Sequence, residues 1–339
     1  MGGLALKNAV TRRYQKDEFL RLKEEVFDML DFYVERIDMP RYYNNKADFG
    51  DMDIVAVIKP EYTFELKNYI QEVFKPTEIF KNSNCHSFDY KECQIDLITT
   101  SKEKFDSLLN YLNFNDLGNL LGRLAHSLGM KYGQDGLVYP VYVEDTHVDN
   151  IVVCTDPEKM MKFLDVDYNQ YREGFNDLTD IFEFVAKSKY FDWRLFQFDQ
   201  LNKINRDRNK KRKTYITFLD WLEENKHRDG FESTFDKDKS YFNEINKYFP
   251  EAKLKLNYRK IVYHKARNLY CSSLFDGGEL IRRFNIDPKD ITNIKKAFED
   301  DLKENEIDLQ EFLLRQKSPE AIYEFFGNYY NIYYRKPTE

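Results

Sequence analysis

Residues 49–58 read Phe-Gly-Asp-Met-Asp-Ile-Val-Ala-Val-Ile, and this segment restricts the chain more than any other. Ile54 through Ile58 is a short apolar run that stops before Pro60, the pattern of a buried strand. Alternate side chains of a strand share a face, so Asp51 and Asp53 point one way while Met52 and Ile54 point into packing. A second apolar run, Gln94-Ile95-Asp96-Leu97-Ile98, carries a third carboxylate and is expected to lie alongside the first.

Asp-x-Asp at the mouth of a strand is often only a solvated turn. Asp96 weighs against that reading, because an unpaired carboxylate inside an apolar strand is costly to bury and a coordinated ion is one of few remedies. Three hard oxygen ligands on rigid strands suit Mg2+ or Mn2+, ions that accept carboxylates, waters and substrate phosphates. Such a site activates an attacking hydroxyl and stabilises a leaving phosphate, so phosphoryl or nucleotidyl transfer is the expected chemistry.

These residues resemble the nucleotidyltransferases of the DNA polymerase beta superfamily, which includes poly(A) polymerases and CCA-adding enzymes. That family has a Gly-Gly or Gly-Ser turn opening a helix, an Asp-x-Asp strand and a single Asp on a neighbouring strand. Here the counterparts are Gly2-Gly3, Asp51 with Asp53, and Asp96. The resemblance covers about the first 155 residues, although most of a helix separates Gly3 from Asp51, farther than in the family. It implies that Asp51 and Asp53 hold both metals and the nucleoside triphosphate, ATP among the candidates, and that Asp96 completes the site activating the acceptor hydroxyl. It also implies an acceptor on nucleic acid, an RNA 3′ end first; tRNA, a protein or a small molecule would use the same carboxylates. A catalytically inert RNA-binding or interaction protein on the same fold is the alternative from another class.

Gly2-Gly3 would let backbone N–H groups approach a phosphate, or would be a plain N-terminus. Arg12 and Arg13 would pair with a triphosphate, or would be surface charge. Lys131, in the connection between a predicted helix over 116–130 and the strands that follow, would approach a nucleotide, or would sit in a solvated loop.

The expected fold is α+β: a nucleotidyltransferase-like mixed sheet with helices in residues 1–155, then a mainly helical domain in residues 156–339 that binds nucleic acid or substrate. An amphipathic helix is predicted over 15–36, and a strand pair over 77–88 and 93–99 with a turn near Asp89 and Tyr90. Further strands are expected over 137–143 and 148–154. Gly118 and Gly122, four apart in a predicted helix, should permit close packing.

Residues 203–213, Lys-Ile-Asn-Arg-Asp-Arg-Asn-Lys-Lys-Arg-Lys, put a positive patch into a chain of net charge -7. Arg206, Arg208, Lys210, Lys211, Arg212 and Lys213, with Phe196, Phe198, Tyr215 and Trp221 nearby, form a candidate nucleic-acid surface, or else a solvated basic face. The acidic balance excludes a uniformly basic coat protein. No apolar run is long enough to cross a bilayer and the N-terminus lacks a signal-peptide core, so a cytoplasmic protein without a membrane partner is expected. The four cysteines have neither disulfide nor zinc spacing. The abundance of Tyr, Phe, Asn and Lys fits an AT-rich genome, of viral or phage type for example.

Overall fold

Alternation along residues 51–58 sorts the two faces of a sheet and with them the core. The structure is a computed structural model and describes residues 5–63, 65–143, 145–228, 231, 239–316 and 318–334. Strand β1 (Tyr14–Gln15) leads into helix α1 (Lys16–Leu30), which buries Phe19, Leu22, Val26 and Leu30 at helical spacing. Then come β2 (Val34–Asp38), β3 (Asp48–Phe49), β4 (Asp51–Ile58), α2 (Leu66–Val73), β5 (Ile79–Asn82), β6 (Cys85–Tyr90) and β7 (Cys93–Thr99). Helices α3 (Phe105–Leu112) and α4 (Leu117–Ser127) precede β8 (Lys131–Gly133), β9 (Gly136–Val143) and β10 (Thr146–Cys154).

Among the described residues the main sheet has the order β2-β4-β7-β6-β5. Only its central pair, β4 with β7, is parallel; β2–β4, β7–β6 and β6–β5 are antiparallel. Met52, Ile54, Ile95, Leu97 and Phe88 enter one core with the buried faces of α1 and α2. On the opposite face Val55 and Val57 lie under Phe105 and Leu108 of α3, which leaves the Asp51 and Asp53 end of β4 uncovered by that cluster. The α+β class expected from sequence is the observed one, a mixed sheet followed by a helical C-terminal region.

The predicted helix over 15–36 stops early. Residues 31–33 make a 3-10 turn, and Val34–Asp38 becomes an edge strand registered on Val55 through Ile58. Cross-strand pairing there outcompetes the helical spacing of Val34. Ser83, with φ +54°, breaks 77–88 into β5 and β6, and the turn before β7 falls at Lys91 and Glu92, φ +48° and +60°, two residues after the expected position.

The chain divides into two compact units. One spans Met1–Pro140 and Asn150–Leu254; the other spans Val141–Asp149 and Lys255–Glu339. The first unit therefore includes helices α5 (Pro157–Phe163), α6 (Tyr168–Glu173), α7 (Leu178–Ala186), α8 (Lys203–Asn209), α9 (Lys213–Asn225) and α10 (Phe242–Tyr248) as well as the sheet. The second has α11 (Leu254–Leu274), α12 (Gly277–Phe284), α13 (Ile291–Glu304), α14 (Leu309–Arg315) and α15 (Pro319–Tyr333), around a core of Phe275, Leu280, Phe298 and Phe326. Among the described residues no helix is long and apolar enough to cross a membrane.

Candidate metal centre

Parallel pairing of β4 with β7 sets Asp51 opposite Gln94 and Asp53 opposite Asp96. Because side chains repeat every second residue, Asp51, Asp53, Gln94 and Asp96 share the face turned away from the α1–α2 core. One carboxylate oxygen from each of Asp51, Asp53 and Asp96 lies within 4.8 Å of the others, all on half-buried residues. The triad read from sequence is thus assembled in space, and it could hold a metal ion.

Electrostatics of the three carboxylates fit a cation. Burial, then the charges of Asp51 and Asp96, push Asp53 up to about 8. Burial also raises Asp96, with Asp51 adding to the rise, while hydrogen bonds from Ser87 and Gln94 oppose it. A hard divalent ion reverses both penalties, and an all-oxygen donor set suits Mg2+, Mn2+ or Ca2+ better than zinc. The nearby thiol of Cys85 stays protonated, pushed up to about 11 by burial and then by Asp96.

Asp96 is held from two sides. Ser87 of β6 is its antiparallel register partner and bonds to it. Gln94 Nε2 donates to both Asp96 oxygens at 2.9 Å.

Cations flank the triad. Lys46, in the connection from β2 to β3, packs its ammonium 4.5 Å from the Phe49 ring centre. Burial lowers its pKa, and Asp51 and Asp53 oppose that shift. Arg13 donates to Asp48 at 2.6 Å, a bond that raises its pKa, with the charge of Asp51 adding to the effect. Arg212, between α8 and α9, pairs with the buried Asp116. Burial lowers the Arg212 pKa against the pull of Tyr111 and Asp53.

Other residues singled out by sequence go elsewhere. Arg12 pairs with Glu18 and Glu92 and lies over the Tyr14 ring, centre distance 3.9 Å. Lys131 Nζ donates to Asn150 Oδ1 at 3.4 Å. Gly2 and Gly3 lie outside the described residues.

The basic run is split by its own hydrogen bonds. Arg206 donates to the carbonyls of Phe198 and Leu201, each at 2.9 Å, so it braces the chain before α8. Arg208, Lys210, Lys211 and Lys213 remain exposed. Phe196 and Tyr215, expected near the surface as stacking partners, are core residues, 0% exposed. Lys213 still contributes to lowering Asp48, after the larger effects of Arg13 and Lys46.

Gln94, Ser87 and Lys46 escaped the sequence reading. Gln94 carried a signal, since it stands two residues before Asp96 on a strand and so shares its face. Ser87 and Lys46 carried none, because strand register and loop path bring them in. No family model matches this chain, and no curated protein matches it.

Proposed function

We propose that the chain is a metal-dependent nucleotidyltransferase that moves a nucleoside monophosphate from a nucleoside triphosphate to an acceptor hydroxyl, with an RNA 3′ end as the first acceptor to try. The observation that carries this reading is the convergence of Asp51, Asp53 and Asp96 from two parallel strands within 4.8 Å. Asp51, Asp53 and Asp96 would hold Mg2+ or Mn2+, which supplies stabilisation of the charge on the attacking and leaving oxygens. Lys46 and Arg212, whose positive charges the aspartates favour, are the chain's own means of meeting triphosphate charge. Asp96, register partner of Asp53, is the residue to which the family resemblance gives the part of completing the site that activates the acceptor hydroxyl. Exposed Arg208, Lys210, Lys211 and Lys213, next in sequence to Arg212, favour an acceptor that carries phosphates.

The test incubates wild type and an Asp51→Ala/Asp53→Ala variant with Mg2+, each labelled nucleoside triphosphate in turn, and RNA and DNA oligonucleotides with free 3′ ends. Label entering nucleic acid with wild type alone supports the reading and reports the base preference. Absence of label in both moves the acceptor to a protein or small molecule, or the chain to a binding role without chemistry.

A further inference from the structure

Gln94 is buried, 2% exposed, and both ends of its amide are engaged. Its Nε2 faces the two Asp96 oxygens, and its Oε1 accepts the backbone N–H of Ala5 at 3.1 Å. Turning the amide over would set an oxygen against the carboxylate and an N–H against the Ala5 N–H, two repulsive contacts at once. The Ala5 N–H therefore selects which end of Gln94 meets Asp96.

Ala5 belongs to an N-terminal arm that is itself fastened. The N–H groups of Lys7, Asn8 and Ala9 converge on Glu78 Oε2 at 2.8, 2.6 and 3.3 Å. Successive amides around one oxygen form an anion-holding nest, occupied here by the protein's own carboxylate. Glu78 is in turn tied to β6 by its N–H, which donates to Asp89 Oδ1 at 2.8 Å. Arg12 N–H continues the fastening, donating to the Glu92 carbonyl at 2.9 Å. Hydrogen bonds joined by the main chain of residues 5–9 thus connect Glu78 through the arm and Gln94 to Asp96.

We infer that Gln94 is a positioning residue for the metal ligand Asp96, and that the arm clipped by Glu78 holds Gln94 in the orientation this requires. The inference rests on the metal reading of the triad. A carboxylate oxygen accepts more than one hydrogen bond or ligand, so the Gln94 contact orients the Asp96 group while leaving lone pairs for an ion. Removing it frees the carboxylate to rotate. Partners of this kind typically change metal affinity by about 10–100-fold.

The experiment measures Mn2+ binding to the full chain by calorimetry and amide hydrogen exchange over residues 5–9, for wild type and for Asp51→Asn, Gln94→Met and Glu78→Ala. Gln94→Met keeps the volume without the donor and is expected to weaken Mn2+ by about tenfold or more. Glu78→Ala removes a partly exposed carboxylate whose hydrogen bonds go to the arm rather than to the sheet core, so the sheet should still fold; it should speed exchange of the arm amides and weaken Mn2+ by a smaller factor, about threefold. If Gln94→Met fails to fold, the Glu78→Ala result decides. Wild-type binding that Asp51→Asn removes but Gln94→Met and Glu78→Ala leave unchanged overturns this inference alone. Wild type with no Mn2+ affinity overturns the metal reading and this inference together, and arm amides unprotected in wild type overturn the clip.

Discussion

Asp53 and Asp96 are direct register partners across the parallel strands β4 and β7, with Asp51 close enough for all three to share one ion. Like charges set opposite one another in a sheet repel, and half-burial adds the cost of lost solvent. The pair is therefore a source of instability whenever no cation is bound, and that instability can be measured.

In metal-free buffer Asp53→Asn should be more stable than wild type at pH 8, by about 1–3 kcal/mol, a discounted figure because Asp53 is only partly buried. The folded pKa of about 8 lies above the ordinary 3.8, so the folded state keeps a proton that the unfolded chain releases. Stability present at low pH is consequently lost as pH rises from about 4 to about 8 and is level beyond that. Urea unfolding with a chelator at pH 5 and pH 8 reads the difference. Equal stability of the two proteins at pH 8 would show that Asp53 is not raised.

Metal affinity should depend on pH in the opposite sense. Binding requires charged carboxylates, so Mn2+ affinity is expected to rise as pH climbs toward about 8 and to level off above it, with proton release on binding. Calorimetry in two buffers of different ionisation enthalpy counts the protons. An affinity flat from pH 6 to pH 8 contradicts the proposed coupling.

Within the basic run two kinds of variant should separate. Neutralising Arg208, Lys210, Lys211 and Lys213 together should weaken RNA binding and lower its salt slope by about one for each phosphate that is no longer neutralised, with melting temperature unchanged. Arg206→Ala should instead cost about 1–2 kcal/mol of stability, because the carbonyls of Phe198 and Leu201 lose their donor. RNA affinity identical before and after the fourfold change would reduce the segment to solvated surface.

Gly118 and Gly122 should respond differently to alanine despite sharing a helix. A Cβ on Gly118 runs into the backbone carbonyl and ring of Tyr111 where α3 and α4 meet, so Gly118→Ala should destabilise by about 2 kcal/mol or more. A Cβ on Gly122 meets nothing nearer than the Tyr132 carbonyl oxygen at 3.7 Å, so Gly122→Ala should be neutral or stabilising by up to about 1 kcal/mol. Thermal unfolding of the two variants side by side decides it.

The parts of the site legible in the sequence were those written in a local period. Asp51, Asp53 and Asp96 announced themselves because strand alternation determines a face without knowledge of the partner strand. Lys46 was illegible because the path of the β2–β3 connection brings it to the aspartates, and no spacing encodes that path. Arg206 looked like a ligand for phosphate and is held by main-chain carbonyls, partners that leave no mark on residue identity. Val34 fitted the helical stripe of α1 and went to a strand, since a five-residue segment obeys its pairing partner before its propensity.

The order of strands gives the chain a timetable. β7 comes last of the five strands in sequence yet occupies the middle of the sheet, between β4 and β6. An emerging polypeptide thus carries Asp51 and Asp53 through α2, β5 and β6 before Asp96 exists, and pairing across that separation is slow compared with local hairpin closure. Until the β6–β7 hairpin docks on β4, Asp51 and Asp53 lack the third carboxylate of their cluster. Docking of that hairpin completes the sheet and gathers the three aspartates in the same event, so an ion that needs all three carboxylates would report a chain whose central sheet has closed.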